Sequence, residues 1–395
     1  MLAHRIVVIG AGYSGLAAAG RAARRAGTPG AEVTLVNAAP HFVERVRLHQ
    51  LAAGQEPRER PLRDALRGSG AELVVGRVTG LDPGRREVLV DTGAGSDSLP
   101  YDTLVYALGS AAGTGGVPGA AEHALSVSTG PEARRSHARI AGLASGGGSV
   151  AVVGGGLTGV EAAAELAESH PGLRVRLLTS GEPGAALSER GRRHLDGALE
   201  RLGVDVRANS RVVRVDGSGL TLADGASVPA DAVLWSTGFA VPDIAERAGL
   251  AVDASGRVLV DERLRAVSDP DVYAVGDAAL VTGPSGIPLR MACATGLPMG
   301  LYAADAITGR LAGREPAPFR FRYYAQCVSL GRRDGLIQFV DADDTARESV
   351  LTGRAAARVK EAVVRGAAWA ARNPGPYTPR ARRARSAARP EAVLR

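Results

Sequence analysis

Short apolar runs that break at glycine occur along this chain in two matching registers. The first, HRIVVIGAGYSGLAAAGRAARRAG from His4, reads as a continuous apolar strand, a turn holding Gly10, Gly12 and Gly15, and an alanine-rich helix with Ala19 at a close-packing position. The second, GSVAVVGGGLTGVEAAAELAE from Gly148, repeats the pattern with Gly154, Gly156, Gly159 and Ala163. Each is followed by a further apolar strand, AEVTLVN ending at Asn37 and LRVRLLTS ending at Ser180. Later come YDTLVYALGS (Tyr101 to Ser110) and ADAVLWSTGF (Ala230 to Phe239), each an apolar strand ending in a small residue and glycine, and SDPDVYAVGDAAL, which ends its strand at Gly276-Asp277. The stretch TGRAAARVKEAVVRGAAWAARNPG predicts a helix, with Val359, Val363, Val364 and Ala367 on one face and Arg354, Arg358 and Arg365 near others.

The spacing GxGxxG between a strand and a helix carries a mechanism. The first glycine permits the tight turn, the second lets backbone approach a pyrophosphate, and the third lets the helix lie close on the strand. Backbone N–H groups and the positive end of the helix dipole then face the phosphates. Two such units predict an α/β protein with two Rossmann-like dinucleotide-binding domains, binding two dinucleotides or one twice. At Asn37 such folds usually carry a carboxylate for the ribose hydroxyls, and asparagine can hydrogen-bond them only without charge assistance. The second unit ends in Thr179-Ser180, where nothing repels a 2′-phosphate, and Arg190, Arg192 and Arg193 follow. NADPH is therefore expected to serve at least comparably with NADH.

Composition narrows the class. A chain of 395 residues with 45% hydrophobic and 23% charged residues has room for two or three domains with real cores. No run approaches the roughly 20 apolar residues of a membrane span, and the N-terminus enters its first strand with no room for a signal peptide. These features predict a cytoplasmic protein. Cys293 and Cys327 are the only cysteines, which excludes a disulfide framework and a multi-cysteine metal site. Lys360 is the only lysine, so any chemistry needing an amine has one candidate. The net charge of +7 is concentrated in residues 371–395, which hold seven arginines against one glutamate and read as a basic, disordered tail.

The order of these features, glycine turn, ATG-like strand, glycine turn, ATG-like strand, GD, resembles the two-dinucleotide-binding flavoproteins of the pyridine nucleotide-disulfide oxidoreductase superfamily over about residues 5 to 310. The resemblance implies FAD at the first turn, NAD(P)H at the second, and Asp277 on the ribityl chain and pyrophosphate. It implies a split FAD domain, 1–125 and 246–315, around an NAD(P)H domain at 126–245, with a C-terminal α+β segment at 316–370. The implied cofactor-binding residues are Gly10, Gly12, Tyr13, Ser14, Gly15, Asn37, Arg47, Ala107, Gly109, Gly154, Gly156, Gly159, Gly238, Gly276 and Asp277.

Among branches of that superfamily, the disulfide reductases need a CxxxxC near the first turn, and no cysteine precedes Cys293. GGGLTGVEAAAEL and FRFRYYAQCVSLGRRDGLIQFV are most similar to the type II NADH dehydrogenase group, the latter to its C-terminal strands. That likeness aims Glu161 at the flavin–nicotinamide junction; a solvent-facing helix glutamate is the alternative. Quinone-reducing members carry an AQxAxQxG-like helix beyond the GD motif. Here CATGLPMG has Ala294 and Pro298 at the glutamine positions, leaving Thr295 and the Cys293 thiol as the nearest polar groups.

The expected reaction is hydride transfer from NAD(P)H to FAD, then electrons to a quinone or small-molecule acceptor, with soluble acceptors favoured. The candidate catalytic residues are Glu161 and Cys293. Sulfide-oxidising relatives use a cysteine pair near the flavin, although free cysteines more often act as small buried hydrophobes. A flavoenzyme of specialised metabolism acting on a small organic substrate is the nearest alternative. A nucleotide-sensing or nucleic-acid-binding flavoprotein is the alternative of another class, disfavoured because charge runs usually stay solvated. The C-terminal helix is read as packing on its own protein, with weak peripheral contact at the inner membrane face as the other reading. A homodimer is the expected assembly.

Overall fold

The computed structural model describes residues 3–25 and 30–375. A six-stranded sheet runs in the order Arg265–Ala266, Asp269–Ala274, Thr103–Tyr106, His4–Ile9, Ala31–Asn37, Glu72–Val75, parallel except at the first edge strand. A five-stranded parallel sheet runs Ala124–Ser126, Ala232–Trp235, Ser149–Val153, Arg174–Leu178, Asp205–Arg207. In each sheet the strand before a glycine turn is central and buried, so it reads as an unbroken apolar run, the signature of a sheet covered on both faces. Each unit also carries a three-stranded antiparallel insertion, Arg77–Pro100 in the first and Val212–Pro229 in the second. The fold is thus α/β, with two Rossmann-like units and a C-terminal α+β segment.

The helix Tyr13–Arg25 packs against the helix Cys293–Leu311. Small residues permit this approach: a Cβ at Gly300 would lie 2.1 Å from the Ser14 carbonyl oxygen. Arg21, buried in the first helix, forks onto Asp305 of the second at 2.6 and 2.7 Å. Gly300→Ala is expected to cost about 1–3 kcal/mol, the usual range for overpacking. Denaturant unfolding of the purified holoprotein would show it, and an unchanged midpoint would mean the helices can slide apart.

The chain ends in an antiparallel meander, Ala325–Ser329, Gly335–Val340 and Ala346–Thr352, and the helix Gly353–Arg372. The helix does pack on the protein, but by only part of the expected face: Val364 is buried and Ala367 packs on the core, whereas Val359 and Val363 do not. Its buried stripe is Ala356, Lys360, Val364, Ala368 and Ala371, while Val359 (41%) and Val363 (48%) are exposed beside Trp369 (52%). The rotation has a cause in Lys360, whose ammonium is drawn inward by a carboxylate. This helix includes Ala371 and Arg372, so the basic tail begins later than expected; its residues 376–395 lie outside the described residues.

Candidate active site

The two glycine turns are built alike. Gly10 (φ +96°) and Gly154 (φ +125°) adopt backbone that other residues rarely reach. A Cβ at Gly10 would strike the Ala107 carbonyl oxygen at 2.3 Å, and one at Gly154 would meet Ser236 Oγ at 2.9 Å. At the third glycines the intruding Cβ would sit 1.8 Å (Gly15) and 1.9 Å (Gly159) from the carbonyl oxygens of Gly10 and Gly154. The middle glycines differ: a Cβ at Gly12 or Gly156 meets nothing within 4 Å. Each turn therefore leaves open space in front of a helix N-terminus, a cradle that a diphosphate fits.

Around the first cradle, Asp277 accepts a hydrogen bond from Ser110 Oγ at 2.8 Å and lies 3.5 Å from Arg45 Nη1. Arg45 also donates to the Ser110 carbonyl at 2.5 Å, so three segments converge on one carboxylate. Ser14 lies beside Gly276, where an added Cβ would meet its Oγ at 2.5 Å. Tyr13 is buried edge-on to Phe42, 5.0 Å between ring centroids, and its hydroxyl has no hydrogen-bond partner among the described residues. Burial, then the neighbouring Cys293 and Glu44, push that phenol up, so it stays a neutral donor. An orphaned buried hydroxyl beside an open cradle is what a polar cofactor would satisfy. FAD fits this donor set.

Other expected cofactor residues are occupied differently. Asn37 Oδ1 accepts from the Ala11 N–H and its Nδ2 donates to the Ala39 carbonyl, both at 2.8 Å, so it braces the glycine turn. Arg47 is clamped by Glu44 (2.8 Å) and by two bonds to Glu361 (2.8 and 2.9 Å), and it fastens the C-terminal helix instead of facing a phosphate. Gly109 opens the first of two linkers that pair as Ala111–Ala112 with Phe239–Ala240, and Gly238 sits against the Gly113 backbone of that pairing.

Glu161 does not face solvent. It lies on the helix Leu157–Ser169, contacts Lys360 Nζ, and accepts the Ser329 N–H at 3.0 Å. Lys360 also donates to the Cys327 carbonyl at 3.2 Å. Burial pushes the Lys360 ammonium down to about 7, with the Arg47 charge acting the same way and Glu361 against it. Behind the pair, the buried His49 holds Nδ1 4.0 Å from Glu161 and Nε2 3.9 Å from Glu165, one turn along the same helix. Burial, followed by the charges of Lys360, Arg332 and Arg47, keeps that imidazole neutral, and burial raises the Glu165 carboxyl. The cluster can hold and pass protons in a low-dielectric setting.

Both cysteines approach this region without becoming reactive. Cys293 opens the helix Cys293–Leu311, where burial and then the Asp277 charge push its thiol up. Burial and then Cys293 push Cys327 up to about 11. Neither is a thiolate at neutral pH, so Cys293 has the character of a lining group and not a nucleophile. Thr295 is spent as well: its hydroxyl lies 2.8 Å from the carbonyls of both Arg290 and Ala292. Sequence reasoning missed Arg45, Ser110, His49 and Glu165, and noticed Lys360 only as the single lysine.

Among the described residues no helix is long and apolar enough to cross a membrane, and no group of metal-ligating side chains occurs. The model of the pyridine nucleotide-disulphide oxidoreductase family matches residues 4–303. The chain is 34% identical over 349 residues to an NADH dehydrogenase-like protein of Mycobacterium tuberculosis, covering 83% of this chain and 86% of the relative. It is 27% identical over 349 residues to the demethylphylloquinone reductase of Synechocystis, covering 84% and 86%. Its fold is similar to that of NDH2 from Plasmodium falciparum, solved in complex with NADH, with a TM-score of 0.79 at 15% identity and coverage of 94% and 96%. With two Rossmann-like units, FAD and NAD(P)H as cofactors and an extended match in sequence, this FAD-dependent NAD(P)H oxidoreductase belongs to the pyridine nucleotide-disulphide oxidoreductase family.

Proposed function

We propose that this enzyme takes hydride from NAD(P)H and delivers electrons to a quinone-type or other small aromatic acceptor, with the Glu161–Lys360 pair as the proton source on the acceptor side. The carrying observation is a buried lysine, pushed down to about 7, in contact with a carboxylate where the second-turn helix meets the C-terminal helix. A relative that reduces demethylphylloquinone supports the acceptor class. FAD, when bound, supplies the site that accepts hydride and releases electrons. The remaining work belongs to the chain.

In this reading Gly10, Gly12 and Gly15 with Ser14 seat the FAD diphosphate, Asp277 fixes the ribityl chain, and Tyr13 donates its free hydroxyl. Gly154, Gly156 and Gly159 seat the nicotinamide nucleotide. The FAD-binding domain is then split, about 1–125 and 246–315, around the nucleotide domain. Lys360 donates a proton toward a reduced acceptor oxygen, Glu161 holds the ammonium in place, and neutral His49, between Glu161 and Glu165, can accept and relay a proton. Because Ala294 and Pro298 offer no hydrogen bond and Thr295 is spent, the acceptor is anchored at one polar end only. The exposed stripe Val359, Val363 and Trp369 is the surface that would touch a bilayer, weakly and peripherally.

One-ended anchoring predicts that a soluble benzoquinone outperforms a long-chain menaquinone analogue by about tenfold or more in kcat/KM, the scale on which lost orientation acts. Steady-state assays with both acceptors test it, and a lipid-like quinone with the higher value would overturn it. For the donor, no carboxylate stands at Thr179-Ser180; the first acidic side chain beyond, Glu182, is exposed near Arg192 and Asp196. NADPH is expected to serve comparably with NADH. An NADH preference above about a hundredfold, near 2.7 kcal/mol, would contradict that.

A further inference from the structure

A cavity of about 640 Å³ opens on the outer side of the C-terminal helix, lined by Arg332, Arg333, Arg354, Arg358, Arg365, Glu361 and two alanines. Its single carboxylate is consumed: Glu361 accepts two bonds from Arg47 (2.8 and 2.9 Å) and one from Arg365 (2.7 Å), and lies 3.4 Å from Arg332. Against the cost of partial burial, these hydrogen bonds and charges hold the Glu361 carboxyl at about 2, so it stays ionised and committed. Arg333, Arg354 and Arg358 have no ion-pair partner among the described residues, yet all three border the same concavity. Arg354 and Arg358 stand one helical turn apart on one face, and Arg333 comes from the turn between two strands of the meander.

All three guanidinium groups are exposed and solvated, and they leave their donors free for an anion that enters the hollow. Each presents a planar fork that matches phosphoryl oxygens. Side chains one turn apart start roughly 5–6 Å from each other, so their forks can engage adjacent phosphoryl groups of one extended anion. The volume also suits a ligand of nucleotide size, within the roughly 300–1,000 Å³ of small-molecule sites. Beside the hollow lies a small cleft lined by Gln50, Ser329 and Lys360, and Arg332, Ala357 and Glu361 border both.

We propose that this cavity binds a soluble diphosphate-bearing organic anion, at a site apart from both glycine turns and next to the Lys360 cleft. Arg333, Arg354 and Arg358 take the phosphoryl oxygens. Binding does not depend on the proposed acceptor chemistry, although the shared cleft wall lets an occupant alter the field at Lys360.

The test is calorimetric titration of inorganic pyrophosphate into the full-length holoprotein and into the R333Q/R354Q/R358Q variant. A second variant, R77Q/R135Q/R211Q, removes the same charge from exposed arginines elsewhere, and flavin content with circular dichroism reports on folding. Saturable binding weakened about thirtyfold or more in the first variant and within about threefold in the second supports the site, since charge-assisted forks are worth that much. Equal weakening in both variants, or no saturable binding to the wild type, overturns it. Vesicles of neutral lipid with and without anionic phospholipid form the last arm. Binding confined to anionic vesicles, with pyrophosphate inert, would overturn the soluble ligand in favour of a lipid headgroup.

Discussion

Lys360→Met is expected to slow acceptor reduction by about 10²–10⁴-fold, the range lost with a positioned general acid, while flavin reduction by NAD(P)H stays within about threefold of wild type. The split follows from position, since Lys360 contacts Glu161 and the Cys327 carbonyl and neither glycine turn. Its sign with pH follows too. The donating form is the ammonium, present below about 7 and lost as pH rises through it, so wild-type kcat/KM for the acceptor falls above neutrality while the variant's profile is flat there. Methionine also leaves Glu161 buried without its partner, a loss of about 3–5 kcal/mol in such pairs. The double variant Glu161→Gln with Lys360→Met should therefore regain stability without regaining turnover. A single variant with wild-type acceptor kinetics would remove Lys360 from the chemistry.

Asp277→Ala is expected to yield a protein that sheds its flavin. The carboxylate receives Ser110 and faces Arg45, so its removal takes the acceptor from the Ser110 hydroxyl and the counter-charge from Arg45, which keeps its bond to the Ser110 carbonyl. At about 1–3 kcal/mol per lost bond, FAD retention weakens roughly tenfold to a hundredfold. Asp277→Asn keeps an acceptor for Ser110 but loses the charge toward Arg45, and falls between. Absorbance ratios after desalting measure this, and unchanged occupancy in the alanine variant would displace Asp277 from the cofactor.

The glycine turns were legible in the sequence because they are backbone requirements. A Cβ at Gly10 or Gly15 has nowhere to go, so the spacing writes the geometry directly. Side-chain direction was harder. Arg45 and Arg47 sit two residues apart in one short 3-10 turn, so they point different ways, and the arginine expected at the cofactor is the one clamped to the last helix. Asn37 stands where a ribose ligand is usual, yet its two polar atoms bind backbone. Lys360 was visible only as the single lysine, with no direction assigned to it. Periodicity treats lysine as an outward residue, and only the partner Glu161, far away in sequence, turns that face of the helix inward. Long-range pairs of this kind leave no local pattern.

Electrons are proposed to leave past the Glu161–Lys360 pair, after entering from a nucleotide at the second glycine turn. Sequential anaerobic stopped-flow tests it most directly: the holoenzyme is reduced with NADH, mixed with a soluble benzoquinone, and both phases are followed across pH. Flavin reoxidation is expected to slow as pH rises through about 7, while the reductive phase shows no such break. A break confined to the reductive phase, or a reoxidation rate that ignores pH across neutrality, would contradict it.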